Sequence, residues 1–437
     1  MPAVSRNIEK FFFIYLILTP VLDILSGAYI HVGSKIVGEN LTDLITPTLI
    51  IRMFILLLFA FYILSLRDRK SILTILPIGI AWLATLAGEF LFTSAFSLFA
   101  EIRYMARFGY NILALLVYWR LFKRCFLSRA QLLEWLNKYI SLTLLVLSLS
   151  IHIPYILGLG YSTYADRFGT FGARGFFYSG NDITAVLMML IPIAIVNYTR
   201  LPRAAERRRH LFYLAAPAAA LTALFSIGTK TAFIAFGVTV LVLGIYFWRH
   251  AKLNGDKTAW RAFIYIMIAF LILFIFLSLF GLVKDLIDAW GHFGDAWFDY
   301  DGDWGKFFSS ERIDKMRDTR AVFVAGGPFA WLFGIGRGTQ PFTIEMDVYE
   351  VLFYYGTIGA LTMLWLYVKL GIGIIRRFIP RRREAYALAA FLSVGLTAAY
   401  SVLAGHVLFS VTSGFYFAFM LLYSYLYYAK NKEEFSV

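Results

Sequence analysis

The sequence predicts an all-α polytopic membrane protein with about twelve transmembrane helices, and three observations carry that expectation. The 437-residue chain is 60% hydrophobic and only 16% charged, with a mean hydropathy of +0.70. That composition belongs to membrane-embedded chains and not to soluble globular domains. Apolar runs long enough to cross a ~30 Å hydrocarbon core recur along the whole chain. Between alternate runs the basic residues gather in clusters.

The runs fall at roughly 11–30, 44–65, 72–95, 103–122, 138–158, 183–199, 211–228, 231–248, 262–283, 348–369, 386–405 and 408–428. The first follows a short basic start, Arg6 and Lys10, without an evident small-residue cleavage site, so it is expected to be a span and not a cleaved signal. The basic clusters are "RDRK" (67–70), "KRCFLSR" (123–129), "RAAERRR" (203–209), "RHAK" (249–252) and "RRFIPRRR" (376–383). All fall on the side of the N-terminus, so the formal charge of +14 is a positive-inside pattern. It excludes nucleic acid as the reason for the charge. Twelve spans with both termini in the cytoplasm, forming a single integral membrane domain over residues 1–437, is the expected organisation. The single Cys125 precludes an intramolecular disulfide.

Two outward-facing connections are longer than a turn: residues 159–182 and residues 284–347. The second, an extracytoplasmic loop between spans nine and ten, opens with the acidic and aromatic "HFGDAWFDYDGDWGKFF" (292–308). "SSERIDKMRDTRAVFVAGGP" (309–328) then reads as a helix, capped by Ser309 or Ser310, favoured by Glu311 at its positive end and stopped by Gly326-Gly327-Pro328. "FGIGRG" (333–338) is a glycine-rich turn. No internal repeat is evident, which counts against a secondary transporter.

Ionisable residues at or inside a membrane cost roughly 2.5–3.5 kcal/mol each on insertion scales, so each asks for a reason. On the outward side they are Asp23, Arg52, Glu89, Arg103, Arg107, Lys230, Glu345, Asp347 and Glu350. Asp23 and Arg52 have the placing of an ion pair between the first two spans. Arg103 and Arg107, four residues apart at the start of a span, suit snorkelling to the interface as well as a ligand. Lys230 lies in "SIGTKTAFIA" (226–235), a tight turn in which Gly228 allows close approach while Thr229 and Thr231 add hydroxyls. A cation so framed suits a phosphate. Arg167 and Arg174 in "DRFGTFGARGFFYSGND" (166–182), and Arg312 in the loop helix, are further outward cations. His406, at the outward end of span eleven, reads as a structural histidine before a base, and His292 as an uninformative loop residue. No His/Asp/Glu spacing on this face is that of a metal site, so no metal or cofactor is expected.

Taken in order, "GTKT" (228–231), "SSERIDK" (309–315) with "PFAWLFGIGRG" (328–338), and "EMDVYEVLFYYGTIGAL" (345–361) resemble the O-antigen ligase and polymerase family. That family includes capsular, exopolysaccharide and teichuronic acid polymerases. The likeness runs from "TPVLDILSG" (19–27) to the last spans. It implies a GT-C-like membrane glycosyltransferase acting on the outer side of the cytoplasmic (inner) membrane. The implied donor is an undecaprenyl-diphosphate-linked oligosaccharide, and the acceptor is a glycan or lipid-linked molecule. Membrane lipids and other envelope-polysaccharide assembly proteins are the remaining partners it implies.

Carried over residue by residue, the family's basic turn residue falls on Lys230, here Lys where Arg is usual. Its loop arginine falls on Arg312, and its short-loop arginine on Arg167 or Arg174, ahead of Asn181. The outward histidine of ligases, in an H-N-x-Y setting, falls on Asp347 within "MDVYE", which favours a polymerase-like branch. The expected reaction is a direct, inverting displacement. Lys230 and Arg312 would bind the diphosphate, aided by Arg167 or Arg174, with Arg103, Arg52 and His406 as further candidates. Asp347, or else Glu345, would orient or deprotonate the acceptor hydroxyl. Aromatics of the 290–308 segment would stack on sugar rings. A ligase with a different acceptor, and a non-enzymatic flippase for lipid-linked oligosaccharide, are the alternatives; gathering of the polar residues at one face argues against the flippase.

Overall fold

The computed structural model describes residues 3–37, 46–92, 96–164, 171–310, 312–405, 407–431 and 434–435. Arg167, Glu311 and His406 lie outside the described residues. Helices α1 (Ala3–Val37), α2 (Pro47–Ser65), α3 (Arg69–Phe92), α4 (Leu98–Arg124) and α5 (Arg129–Ile156) lead to an antiparallel hairpin, β1 (Tyr161–Tyr164) with β2 (Phe171–Gly175). Next come α6 (Gly180–Thr199), α7 (Arg207–Ile227), α8 (Lys230–Asn254) and α9 (Thr258–Ser278). The long connection holds α10 (Leu282–Asp299), α11 (Trp304–Ser309), α12 (Arg312–Ala325) and α13 (Gly327–Phe333). The remaining helices are α14 (Asp347–Arg381), α15 (Ala385–Leu403) and α16 (Ser413–Tyr428).

Ten of the described helices are long and apolar enough to cross a membrane. The protein is a multi-pass, all-α membrane protein. The other two expected spans are helices as well: α4, interrupted by Arg103, Arg107 and Asn111, and α16, which is 16 residues long. Alternation of the spans puts the basic turns on one face, and the hairpin with α10–α13 on the far face.

Burial sorts the helices into a centre and a rim. α6 is buried along almost its whole length and packs against α5, α7, α15 and α16, while α2, α3 and α9 expose leucines and isoleucines around the outside. Exposed apolar stripes of this kind are the lipid-facing surface of a membrane protein. Asp23 and Arg52 form the expected ion pair between α1 and α2, and the Thr412 hydroxyl also donates to Asp23 at 2.7 Å, tying in the α15–α16 connection. Arg52 thus serves internal architecture. Removing one partner of such a buried pair costs about 3–5 kcal/mol, because the other charge is stranded.

The 284–347 connection is more regular than its sequence suggests. α10 is strongly amphipathic: Val283, Ile287, Trp290 and Phe298 are exposed on one side, while Leu282, His292 and Phe293 are buried on the other. The expected helix over 309–328 starts at Arg312 and ends at Ala325, before the Gly-Gly-Pro stop. Ser309 and Ser310 belong instead to the end of α11. The Ser309 hydroxyl donates to the Lys306 carbonyl at 3.4 Å, and Ser310 is the left-handed residue that closes α11 (φ 49°).

α14 is broken near its start at Gly356 (φ 67°, ψ −171°). A break inside a membrane helix frees carbonyls that lipid cannot satisfy, so protein must do it. Here the glycine-rich turn does. The Ile335 and Gly336 amides donate to the carbonyls of Phe353 and Tyr354 at 3.0 and 2.9 Å. The Gly338 amide donates to Glu101 Oε2 at 3.0 Å, and the Trp82 indole to Glu101 Oε1, also at 3.0 Å. The "GIGRG" turn is therefore a strut that carries a broken helix.

Candidate active site

Three residues, Gly228 to Lys230, end one span and begin the next. Gly228, in the left-handed conformation (φ 72°), closes α7. Thr229 caps α8, its hydroxyl accepting from the Ala232 amide at 3.2 Å. Lys230 is then the first residue of α8, at the far face. The sequence forces this layout, since glycine suits a helix stop and threonine a helix start. Hairpin strand β2 lies against the turn: a Cβ added at Gly172 would be 2.6 Å from the Ile227 carbonyl oxygen.

Above Lys230 sit α10 and α11. The Lys230 ammonium donates to the Phe307 carbonyl and lies 3.9 Å from the centre of the Phe307 ring and 5.5 Å from that of Phe293. Ring faces and one carbonyl hold the ammonium in position. Arg312 lies within electrostatic reach of Lys230. Its guanidinium is only 12% exposed, donates to the Ser309 carbonyl at 3.2 Å and pairs with Glu345 at 3.0 Å. Lys315, one turn further along α12, is 3.9 Å from the other Glu345 oxygen. Tyr164 and Tyr400 also lie within the field of Arg312. Burial pushes the Tyr164 phenol up to about 12, so it stays a neutral hydroxyl.

Glu345 is held in an uncommon way. Its backbone is left-handed (φ 65°), and its amide donates to Glu350 Oε1 at 2.8 Å. Buried Glu350 also accepts from the Tyr104 hydroxyl. Gly405 (φ 61°) packs so closely that an added Cβ would be 2.3 Å from the Glu345 carbonyl oxygen. A non-glycine residue in this conformation costs of order 1 kcal/mol and persists only where surroundings over-determine it. Three elements thus aim one carboxylate at two cations.

Asp347 departs from the expectation of a carboxylate facing an acceptor. It is fully buried, and its Oδ2 accepts from the Ser401 hydroxyl at 2.7 Å and the Val407 and Leu408 amides at 2.9 and 3.0 Å. These bonds hold the α15–α16 connection against the start of α14, a structural task. Sequence spacing placed Asp347 and Glu345 together, but side-chain direction separates them.

The other expected cations divide. Arg174 turns back on its own segment: its guanidinium donates to the Tyr178 carbonyl and lies 5.0 Å from the Tyr161 ring centre. Arg103 and Arg107 are half-buried on the first turns of α4, where Arg107 lies within the field of Asp182 and Arg52. The 290–308 aromatics partly satisfy one another: Trp297 and Trp304 have centres 4.3 Å apart, and Trp304 stacks on Phe308 at 5.6 Å.

Two contributors escaped the sequence reading. Lys315 carried a weak signal, an i,i+3 spacing from Arg312 on the helix that the sequence does show. His292 carried none. It is not an exposed loop residue but is buried on α10, with ring centres 5.8 Å from Tyr164 and Phe171. Burial, then the nearby Lys230 charge, hold its pKa below the ordinary histidine value.

Spans and site together define a multi-pass membrane protein with a cationic, aromatic-roofed cluster at one face. The model of a family described as O-antigen ligase like membrane protein matches residues 5–286, and the chain belongs to that family. Membership points to a membrane glycan-processing enzyme of glycosyltransferase type. Comparison with curated proteins and with solved structures gave no match. Lys230 lies inside the matched segment, whereas Arg312, Lys315 and Glu345 lie beyond it.

Proposed function

We propose that the protein transfers or polymerises glycan from an undecaprenyl-diphosphate-linked oligosaccharide on the outer side of the cytoplasmic membrane. Both termini would then be cytoplasmic and the far face extracytoplasmic. The observation that carries this reading is Lys230 within electrostatic reach of Arg312, whose guanidinium shares the Glu345 carboxylate with Lys315. Cations outnumber the carboxylate that pairs with two of them, a balance that suits a diphosphate. Arg312 supplies a fork for bidentate binding, and Lys230 a point charge.

In the proposed reaction the acceptor hydroxyl oxygen attacks the anomeric carbon as the bond from that carbon to the diphosphate oxygen breaks. The configuration inverts, the electron pair leaves with the lipid diphosphate, and Lys230 and Arg312 stabilise the growing negative charge. Glu345 takes over the acceptor role first expected of Asp347. When the diphosphate engages Arg312 it competes with Glu345, and the released carboxylate can orient the hydroxyl and receive its proton. An ordinary glutamate is a weak base at neutral pH, so most of the rate comes from leaving-group stabilisation.

The test is purified protein incubated with short-chain lipid-linked oligosaccharide and resolved on a gel. A ladder identifies a polymerase and a single shifted band a ligase. Absence of product with donor bound would overturn both.

A further inference from the structure

The basic face carries a second built feature, independent of the glycan site. Between the α2–α3 turn and the end of α4 lies a cavity of about 690 Å³ lined by six cations: Arg67, Arg69, Lys70, Arg120, Lys123 and Arg124. Its floor is fixed. Arg120 makes a two-pronged ion pair with Asp68 and lies 4.4 Å from the Trp119 ring centre, and the Ser71 hydroxyl donates to the same Asp68. Arg67 holds a left-handed backbone (φ 50°), and its amide donates to the Leu64 carbonyl at 2.9 Å, so the turn bends over the floor.

Asp68 is the one acidic residue lining the cavity, and it is taken by Arg120. Arg124 also reaches the Tyr62 hydroxyl, which donates to Glu9 at 2.8 Å. Arg67, Arg69, Lys70 and Lys123 remain about one concavity, a self-repelling arrangement that an anion relieves. Beside it, Leu64 on α2 and Leu73 and Leu76 on α3 are more than half exposed, and Phe126, just past α4, is 95% exposed. Exposed apolar side chains beside a basic turn suit acyl chains at the level where headgroups begin. A ligand with a phosphate and two apolar chains fits both halves of this surface. Free phosphate fits only one.

We propose that this cavity binds the phosphate headgroup of an anionic phospholipid of the inner leaflet, with its chains along α2 and α3. The site is separate from the Lys230–Arg312 cluster, so its failure and that of the glycan reading are distinguishable.

Detergent-purified full-length protein is titrated with phosphatidylglycerol, phosphatidylcholine or inorganic phosphate, with retained lipid counted by native mass spectrometry. Phosphatidylglycerol is expected to bind and phosphatidylcholine not. Each basic residue at a membrane surface is worth about fivefold in binding an anionic lipid, so R69Q/K70Q/R124Q is expected to weaken phosphatidylglycerol binding by at least about tenfold. R207Q/R208Q/K252Q removes the same charge elsewhere on this face and is expected to leave binding unchanged. Equal loss in the two triple variants, or no loss in the first, overturns the proposal. Displacement of the lipid by equimolar inorganic phosphate overturns the lipid in favour of a free anion. If the cavity triple variant fails to assemble, Lys123→Gln alone is expected to weaken binding by about fivefold, and unchanged affinity overturns the site.

Discussion

The Arg312 guanidinium and the Glu345 carboxylate meet at 3.0 Å, joining the start of α12 to the segment that opens α14. Neither residue is placed by its own helix alone. Arg312 is steadied by the Ser309 carbonyl, and Glu345 by Glu350 and by the close approach of Gly405. On the proposed mechanism the pair exchanges partners when an anion arrives.

Exchange predicts different outcomes for the two halves. Arg312→Ala is expected to weaken donor binding and to lower turnover by about 10²–10³, the usual loss when one charge stabiliser is removed. Glu345→Gln is expected to lower turnover sharply while leaving donor affinity equal or tighter, because Arg312 is no longer held by a competing carboxylate. Donor binding and single-turnover rates on purified variants check this. Parallel losses of binding in both variants would remove Glu345 from the acceptor side.

Asp347 is predicted to behave as architecture. Asp347→Ala strands two buried amides and a hydroxyl, at about 1–3 kcal/mol for each group left unsatisfied. The melting temperature and yield are expected to fall by a clear margin, with specific activity of the surviving protein within a few-fold of the parent. A stable Asp347→Ala protein without turnover would restore it to the chemistry.

Lys230 separates charge from shape. Lys230→Ala is expected to abolish transfer while the protein still inserts. Lys230→Arg keeps the charge but must fit a planar fork under the Phe307 ring, so partial activity is expected. Near-parental turnover by Lys230→Ala, or a loss explained wholly by yield, would make the residue structural.

Much of this was legible in the sequence. Each of the twelve apolar runs overlaps a described helix, because spans need only length and composition, and "GTKT" announced its own turn through a glycine stop and a threonine cap. Arg312 and Lys230 were nominated from local pattern and family likeness, and the fold brings them near. The burial of Asp347 beside Glu345 was not legible, because two residues of separation say nothing of direction at a helix start preceded by a left-handed residue. The helicity and amphipathicity of α10 were hidden by its glycines and aspartates, and with them the burial of His292. The role of "GIGRG" was unreadable, since its partners, Glu101 and the carbonyls of α14, are distant in sequence.

That strut gives a backbone prediction. A Cβ at Gly356 would lie 2.4 Å from the Leu332 carbonyl carbon, at a φ that only glycine adopts freely. Gly356→Ala is expected to lower folded yield several-fold and to abolish activity with it, whereas Gly371→Ala, with open space around its Cβ on the same helix, is expected to be neutral. Size-exclusion profiles of the two variants decide. A well-folded Gly356→Ala protein would show that the break in α14 is not required.

His292 provides the pH test. Its pKa is lowered first by burial and then by the neighbouring Lys230 charge, although Asp295 and Asp299 pull the other way. The folded value therefore lies below the unfolded value of about 6.5. Between the two, the unfolded chain binds a proton that the folded protein refuses, so stability rises with pH across that window and falls as the solution is acidified below about 6.5. His292→Gln removes the titrating group and keeps a polar side chain of similar reach. Thermal melts from pH 7.5 to 5 are expected to show a shallower acid loss for His292→Gln than for the parent, with the two curves parallel above pH 7. Equal slopes at acid pH would mean that His292 titrates alike in the folded and unfolded chains, and would remove it from the buried wall beside Lys230.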